Sequence, residues 1–176
     1  MEGGSPTSAV AGDELVTVTV LNETSDPVDV ARWSDLVRRV LVTEGVVGPA
    51  ETNVVFIGRE DMAELNAEHM GGTGATDVLS FPIDDDSDAA DGFPVSPDDV
   101  RFVGDIVVCT PVAADNAPGH AGTLDDEIAL LLVHGSLHLL GHDHAEPEER
   151  GTMWAAEQRL LGDLWRPLTR NPWSEQ

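Results

Sequence analysis

Lysine is absent from this 176-residue chain: its nine basic residues are all arginine, set against 33 acidic residues for a formal net charge of −24. Affinity for nucleic acid normally comes from cationic side chains that displace counterions, so this balance disfavours a general polyanion binder and argues against a DNA partner. The single cysteine, Cys109, rules out an internal disulfide. It follows the apolar residues Ile106, Val107 and Val108 and reads as a small core residue in a reducing compartment. No stretch approaches the roughly 18 apolar residues that a membrane span requires. No signal-like apolar run is present, and the first basic residue is Arg32. Together these absences point to a soluble, cytoplasmic protein. There is no internal repeat and no linker long enough to separate domains, and a chain of this length buries a core of useful size as one domain.

Acidic residues gather at Asp84, Asp85, Asp86 and Asp88, again at Asp98 and Asp99, and near the amino terminus. The expected organisation is a disordered segment over residues 1–12, a single domain over 13–165 with an acidic solvated loop at 84–99, and a tail over 166–176. Within the domain, residues 15–22 alternate apolar with Thr or Asn and predict a strand. Asp26-Pro27 offers an N-cap and first helical position for a helix carrying Trp33, Leu36, Val37, Val40 and Leu41. Residues 53–58 predict a second strand and 59–66 a short helix, followed by a flexible loop at Gly71-Gly72-Thr73-Gly74. Strands are expected at 76–82 and 102–109, the latter central because it is continuously apolar. Residues 124–140 predict a buried helix with Thr123 as N-cap and Gly141 as its stop, and 146–164 a last helix.

The chemistry concentrates in eleven residues, His134-Gly135-Ser136-Leu137-His138-Leu139-Leu140-Gly141-His142-Asp143-His144. His134 and His138 are four apart and share one helix face. A left-handed turn at Gly141 would return His144 as a third nitrogen donor, and three protein ligands leave one position open, as in catalytic zinc sites. The spacing matches the zinc-peptidase pattern H-E-x-x-H-x-x-G-x-x-H, except that the peptidase general base is replaced by Gly135. A helix-interior glycine costs about 1 kcal/mol relative to alanine, so a substrate or a neighbouring strand is expected to need that missing side chain.

This motif, with Thr76-Asp77-Val78-Leu79-Ser80-Phe81-Pro82 and Gly104-Asp105-Ile106 upstream and Met153 with Glu157 downstream, resembles the bacterial YbeY family from about Leu15 to Leu164. The resemblance implies an α+β fold with one mixed four-stranded sheet packed by about five helices and a zinc-peptidase-like metal helix. It also implies one zinc ion on His134, His138 and His144. The implied activity is that of a zinc-dependent, single-strand-specific endoribonuclease. Its implied role is in ribosomal RNA processing, notably at the small-subunit 3′ end, and in ribosome quality control. The implied partners are an rRNA precursor and small-subunit proteins.

Two positions depart from the family pattern. An Arg usually follows the Asn by four residues, where this chain has Met70 after Asn66, and His142 replaces a Tyr. The absent Arg would suit bidentate phosphate binding. Arg59, nearest in sequence to the glycine loop, is the candidate replacement, with Ser80 and His142 as further substrate-contact candidates. Asp143 is the candidate catalytic carboxylate, as a proton acceptor or an acceptor for a ligand imidazole, with capping of the turn after Gly141 as its other reading. Asp105 would approach the metal if its strand ran beside the helix. Arg150, Arg159, Arg166 and Arg170 read as surface charges paired with Glu148, Glu149 or Glu157. Two other functions compete: a zinc peptidase or other amide hydrolase, and a non-catalytic ribosome-assembly partner.

Overall fold

The computed structural model describes residues 15–83 and 100–173. The expected disordered segment 1–12 and the acidic loop 84–99 lie outside them. Four strands, β1 (Val16–Asn22), β2 (Ala50–Ile57), β3 (Val78–Pro82) and β4 (Arg101–Cys109), form one sheet in the order β1-β2-β4-β3. The first three in that order are parallel and β3 pairs antiparallel with β4, so the sheet is mixed. Among the described residues five α-helices accompany it: α1 (Val30–Thr43), α2 (Arg59–Met70), α3 (Thr110–Asn116), α4 (Leu124–Leu139) and α5 (Pro147–Leu164). The α+β architecture therefore matches the expectation. Among the described residues no helix is long and apolar enough to cross a membrane.

The larger apolar cluster joins one sheet face to α1, α4 and α5, through residues such as Val18, Val37, Phe56, Ile106, Leu132 and Leu160. A smaller one, Ile57, Met62, Leu79, Val107 and Cys109, lies on the opposite face beneath α2. Alternation explains the division: Ile106 and Val107 are neighbours on β4 and so point to opposite faces. Cys109 is fully buried, as its apolar neighbours suggested, and burial raises the pKa of its thiol.

Several boundaries differ from the sequence expectation for local physical reasons. Helix α1 starts at Val30 with Asp29 as its cap, accepting from the Arg32 N–H, rather than at Asp26-Pro27. Asp26 is already committed to a polar turn, where its N–H donates to Thr24 Oγ1 and its carbonyl accepts from Asn22 Nδ2. Strand β2 begins three residues earlier than expected, because pairing with β1 runs from Val16↔Ala50. Helix α2 continues to Met70, where Gly71 supplies a left-handed C-cap at φ 68°. The glycine loop beyond is tied down, with Asn66 Nδ2 donating to the Gly74 carbonyl. Short helix α3 was not expected, since its seven residues span too few turns to show a periodicity.

The Gly104-Asp105 pair lies mid-strand, not in a turn. Pairing with β2 skips a residue between Phe102 and Gly104, and Gly104 adopts φ 147°. A Cβ there would sit 2.6 Å from the Phe81 carbonyl oxygen and 2.7 Å from Leu139 Cδ2. Only glycine satisfies both the bulge and the close approach of α4.

Candidate functional site

Helix α4 carries the central histidines, and both of its ends are built by short-range chemistry. Thr123 caps the start, its Oγ1 accepting from the Asp126 N–H at 3.1 Å. At the other end the His142 N–H donates to the Leu137 carbonyl and the Gly141 N–H to that of His138, the nested pair that closes a helix when the next residue is left-handed. Gly141 meets that requirement at φ 101°. The chain reverses there and brings His144 back to the helix.

Gly135 has a packing reason. A Cβ on it would lie 2.9 Å from Ile106 Cγ2 and 3.1 Å from Ser80 Oγ, so α4 rests directly on β4 and β3. Of the two explanations for this glycine, the neighbouring strand is the observed one.

Ligand atoms of His134, His138 and His144 all lie within 4.8 Å of one another, forming a possible three-histidine metal site. Their ring centroids are 4.6, 5.0 and 5.4 Å apart. The Nε2 atoms of His134 and His138 approach to 3.1 Å. Two imidazole nitrogens about 2.0–2.1 Å from one tetrahedral zinc would be roughly 3.3 Å apart, so the donor set fits such an ion. Burial pushes the His138 pKa down, and the neighbouring His134 and His144 add to that effect. A neutral imidazole is the ligating form, so this environment favours coordination.

A family model covers most of the chain. The model described as endoribonuclease YbeY matches residues 19–164. The chain belongs to this family. A relative named endoribonuclease YbeY from Thermobifida fusca is 40% identical over 153 residues, covering 87% of this chain and 97% of that protein. One of the same name from Salinispora tropica is 42% identical over 158 residues, covering 86% and 97%. Among solved structures, the solution structure of TM1509 from Thermotoga maritima matches at TM-score 0.52 and 23% identity, covering 90% of this chain and 99% of that one. That last likeness concerns the fold alone.

Beside the three histidines of this YbeY-family chain, sequence reasoning undervalued Glu157. It is not a surface partner for arginine: it is 3% exposed, and its Oε2 lies 2.6 Å from His134 Nδ1. Its Oε1 accepts the Trp173 indole N–H at 2.9 Å. Holding a proton on Nδ1 leaves Nε2 as the donor atom facing the other histidines. The signal available in sequence was that Met153, Glu157 and Leu160 lie on one face of α5, which would bury the carboxylate between two core residues.

Asp126 and Glu127 stand in the first turn of α4, where sequence explains them as anions favoured by the helix dipole, yet both are fully buried. Asp126 accepts from Trp165, Arg166 and Thr169, which docks the segment after α5 onto the domain. Glu127 engages His120 Nδ1 and accepts the Ala121 N–H. The arginine pairings also differ from expectation, because helix packing sets them: Arg159 reaches Glu44 at 3.1 Å and Arg166 reaches Asp126.

The remaining candidates divide by position. Asp143 is exposed and its Oδ1 accepts the His144 N–H at 2.7 Å, while His142 is half-buried beside it in the same turn. Ser80 donates to the Gly135 carbonyl at 3.3 Å, so its hydroxyl is committed to strand–helix packing. Arg59 pairs with Asp115 and reaches the Pro111 carbonyl, at the start of α2 rather than among the histidines. Asp105 accepts from Asn53 Nδ2 at 3.1 Å on the neighbouring strand. It flanks Ile106, which faces α4, and therefore points to the opposite side of the sheet. Met70 ends α2 and is 54% exposed.

Proposed function

We propose that the chain is a zinc-dependent, single-strand-specific endoribonuclease of the cytoplasm that matures ribosomal RNA at the small-subunit 3′ end and serves ribosome quality control. The observation that carries this reading is the convergence of His134, His138 and His144 with a buried carboxylate on His134 Nδ1, in a chain of the endoribonuclease YbeY family. Those three imidazoles would hold one zinc ion. When bound, zinc supplies a Lewis acid beside the phosphodiester and positive charge for its phosphoryl oxygens.

The chain's own residues do the rest. Glu157 keeps the His134 Nδ1 proton in place, so the ring cannot turn its Nε2 away from the site. Asp143 braces the His144 backbone and offers Oδ2 as the proton acceptor for the attacking oxygen. His142, in the same turn, contacts the substrate in this reading. With Met70 in the position of the family's usual Arg, and Arg59 and Ser80 engaged elsewhere, phosphate recognition falls mainly to the metal side.

Amide hydrolysis is opposed by packing as well as by residue type. The peptidase base would have to project from position 135, where even a methyl group meets Ile106 at 2.9 Å. The chain's strong negative charge and Met70 favour a second reading, a non-catalytic ribosome-assembly partner that docks on basic small-subunit proteins. Single-stranded RNA and an unstructured peptide, each incubated with and without chelator, separate the readings. The proposal expects cleavage of RNA alone, abolished by chelator and by His138→Ala. RNA cleavage that survives His138→Ala would refute the metal-centred mechanism, and cleavage of neither substrate would favour the assembly partner.

A further inference from the structure

Beside the metal site lies a cavity of about 180 Å³, lined by Asp77, His120, His134, Trp154, Glu157 and Trp173 among others. It is smaller than the roughly 300 Å³ at which pockets begin to enclose a drug-sized ligand, and suits one planar ring system. His134 belongs to both spaces, so a group in the cavity lies next to the proposed reacting centre. The walls are of two kinds. Two half-buried tryptophans supply apolar surface, one from α5 and one from the segment after it. The polar wall comes from Asp77, just before β3, and from His120, whose Nδ1 is held by both oxygens of the fully buried Glu127 at 2.9 and 3.1 Å. Glu127 therefore orients the ring through Nδ1 and leaves Nε2 as its working edge.

Charge indicates which portion of a ribonucleotide belongs here. Asp77 and Glu157 line the cavity and Glu127 stands behind His120. Three carboxylates beside two imidazoles oppose a phosphate, whereas a base brings an aromatic face for the indoles and N–H groups for Asp77. We infer that this cavity is a nucleobase subsite for single-stranded RNA, in which Trp154 and Trp173 pack on the base and Asp77 and His120 Nε2 bond its edge. The inference rests on the endoribonuclease reading and addresses how so acidic a chain takes a polyanionic substrate: by base contacts rather than by counterion release. Affinity gained this way depends little on salt, because the slope follows the number of phosphates neutralised.

Two measurements test this apart from the nuclease reading. In the first, adenosine and ribose 5-phosphate are titrated into the zinc-loaded protein while tryptophan fluorescence is followed. Adenosine is expected to bind, ribose 5-phosphate is not, and Trp154→Ala is expected to weaken adenosine roughly tenfold, the scale of one base–aromatic contact. Trp154→Phe should restore most of the loss, and Asp77→Asn should weaken adenosine while leaving the melting temperature near wild type. In the second, KM and kcat are measured on a single-stranded RNA hexamer between low and moderate salt. KM should rise in Trp154→Ala with kcat largely kept, and salt should change KM only a few-fold. Binding of ribose 5-phosphate in preference to adenosine would overturn the subsite, as would unchanged adenosine affinity and unchanged KM in both Trp154→Ala and Asp77→Asn. If adenosine binds as expected but no RNA is cut, the subsite stands and the nuclease reading falls. If RNA is cut by a protein that ignores adenosine and tolerates both substitutions, only the subsite falls.

Discussion

Replacing Glu157 by Gln tests how far metal affinity depends on a residue that touches no metal. The carboxylate is 3% exposed and joins His134 Nδ1 at 2.6 Å to the Trp173 indole at 2.9 Å. The amide keeps the shape and one acceptor oxygen. If that oxygen stays on Trp173, the NH2 group faces Nδ1, and His134 satisfies it only by moving its proton to Nε2, the atom that would face the metal. If the amide flips, Trp173 loses its acceptor instead. The first arrangement opposes coordination directly, while the second keeps the tautomer but replaces a carboxylate acceptor by a neutral one, which makes Nε2 a weaker donor. Loss of such an outer partner typically weakens metal affinity 10–100-fold, or about 1.4–2.8 kcal/mol. Competition against a chromophoric chelator measures this directly, and melting with and without zinc checks it, because less affinity means less ligand-induced stabilisation. Without metal, the variant should melt close to wild type. Zinc affinity within twofold of wild type would refute the argument that Glu157 sets the His134 tautomer.

The other predictions concern folding and the turn that returns His144. Burial alone would raise the Asp126 pKa, but the bonds from Thr169, Trp165 and Arg166 outweigh it and hold the carboxyl at about 2 against an ordinary 3.8. A folded-state value below the unfolded one stabilises above about pH 4 and is lost as pH falls toward 2. The gap corresponds to on the order of 2 kcal/mol, so urea unfolding across that range should show acid destabilisation that Asp126→Asn largely removes while lowering stability at neutral pH. Gly135→Ala should destabilise by roughly 1 kcal/mol in denaturant melts, because overpacking against Ile106 and Ser80 exceeds the gain in helix propensity; a stabilised variant would contradict the close helix–strand contact. Gly141→Ala forces a side chain to φ 101° at a cost of about 1–2 kcal/mol. Calorimetric zinc titration should then show weaker binding, since His144 depends on that reversal, and unaltered binding would show that the turn does not position it.

How much was legible depends on the range of the interaction concerned. The caps of α4 could be read directly, since Thr123 and Gly141 act within a few residues of the atoms they satisfy. The histidine convergence was legible for the same reason, as one helical turn and one left-handed residue relate all three rings. The start of α1 was misplaced because Asp26 and Asp29 both suit a cap, and the choice was made by the Asn22 and Thr24 side chains, which hold Asp26 in a turn. Helix α3 offered too few residues for a pattern to emerge.

The partners of charged groups were the least legible. Glu157 differs locally from Glu148 and Glu149 only in sharing a helix face with Met153 and Leu160, and packing against α4 buries it while the others stay exposed. Arg59 was a reasonable substitute cation by proximity in sequence, and the fold gave it to Asp115 instead. Sequence alone, then, determined the order of the strands and the longer helices and the clustering of the three histidines, because hydrophobic period, capping and helical spacing are short-range effects carried by neighbouring residues. Tertiary structure decided which carboxylate faces His134, why position 135 must stay bare, and that Trp173 reaches back to the site. Those contacts join segments far apart in the chain, and they exist only once the sheet has set the distance between them.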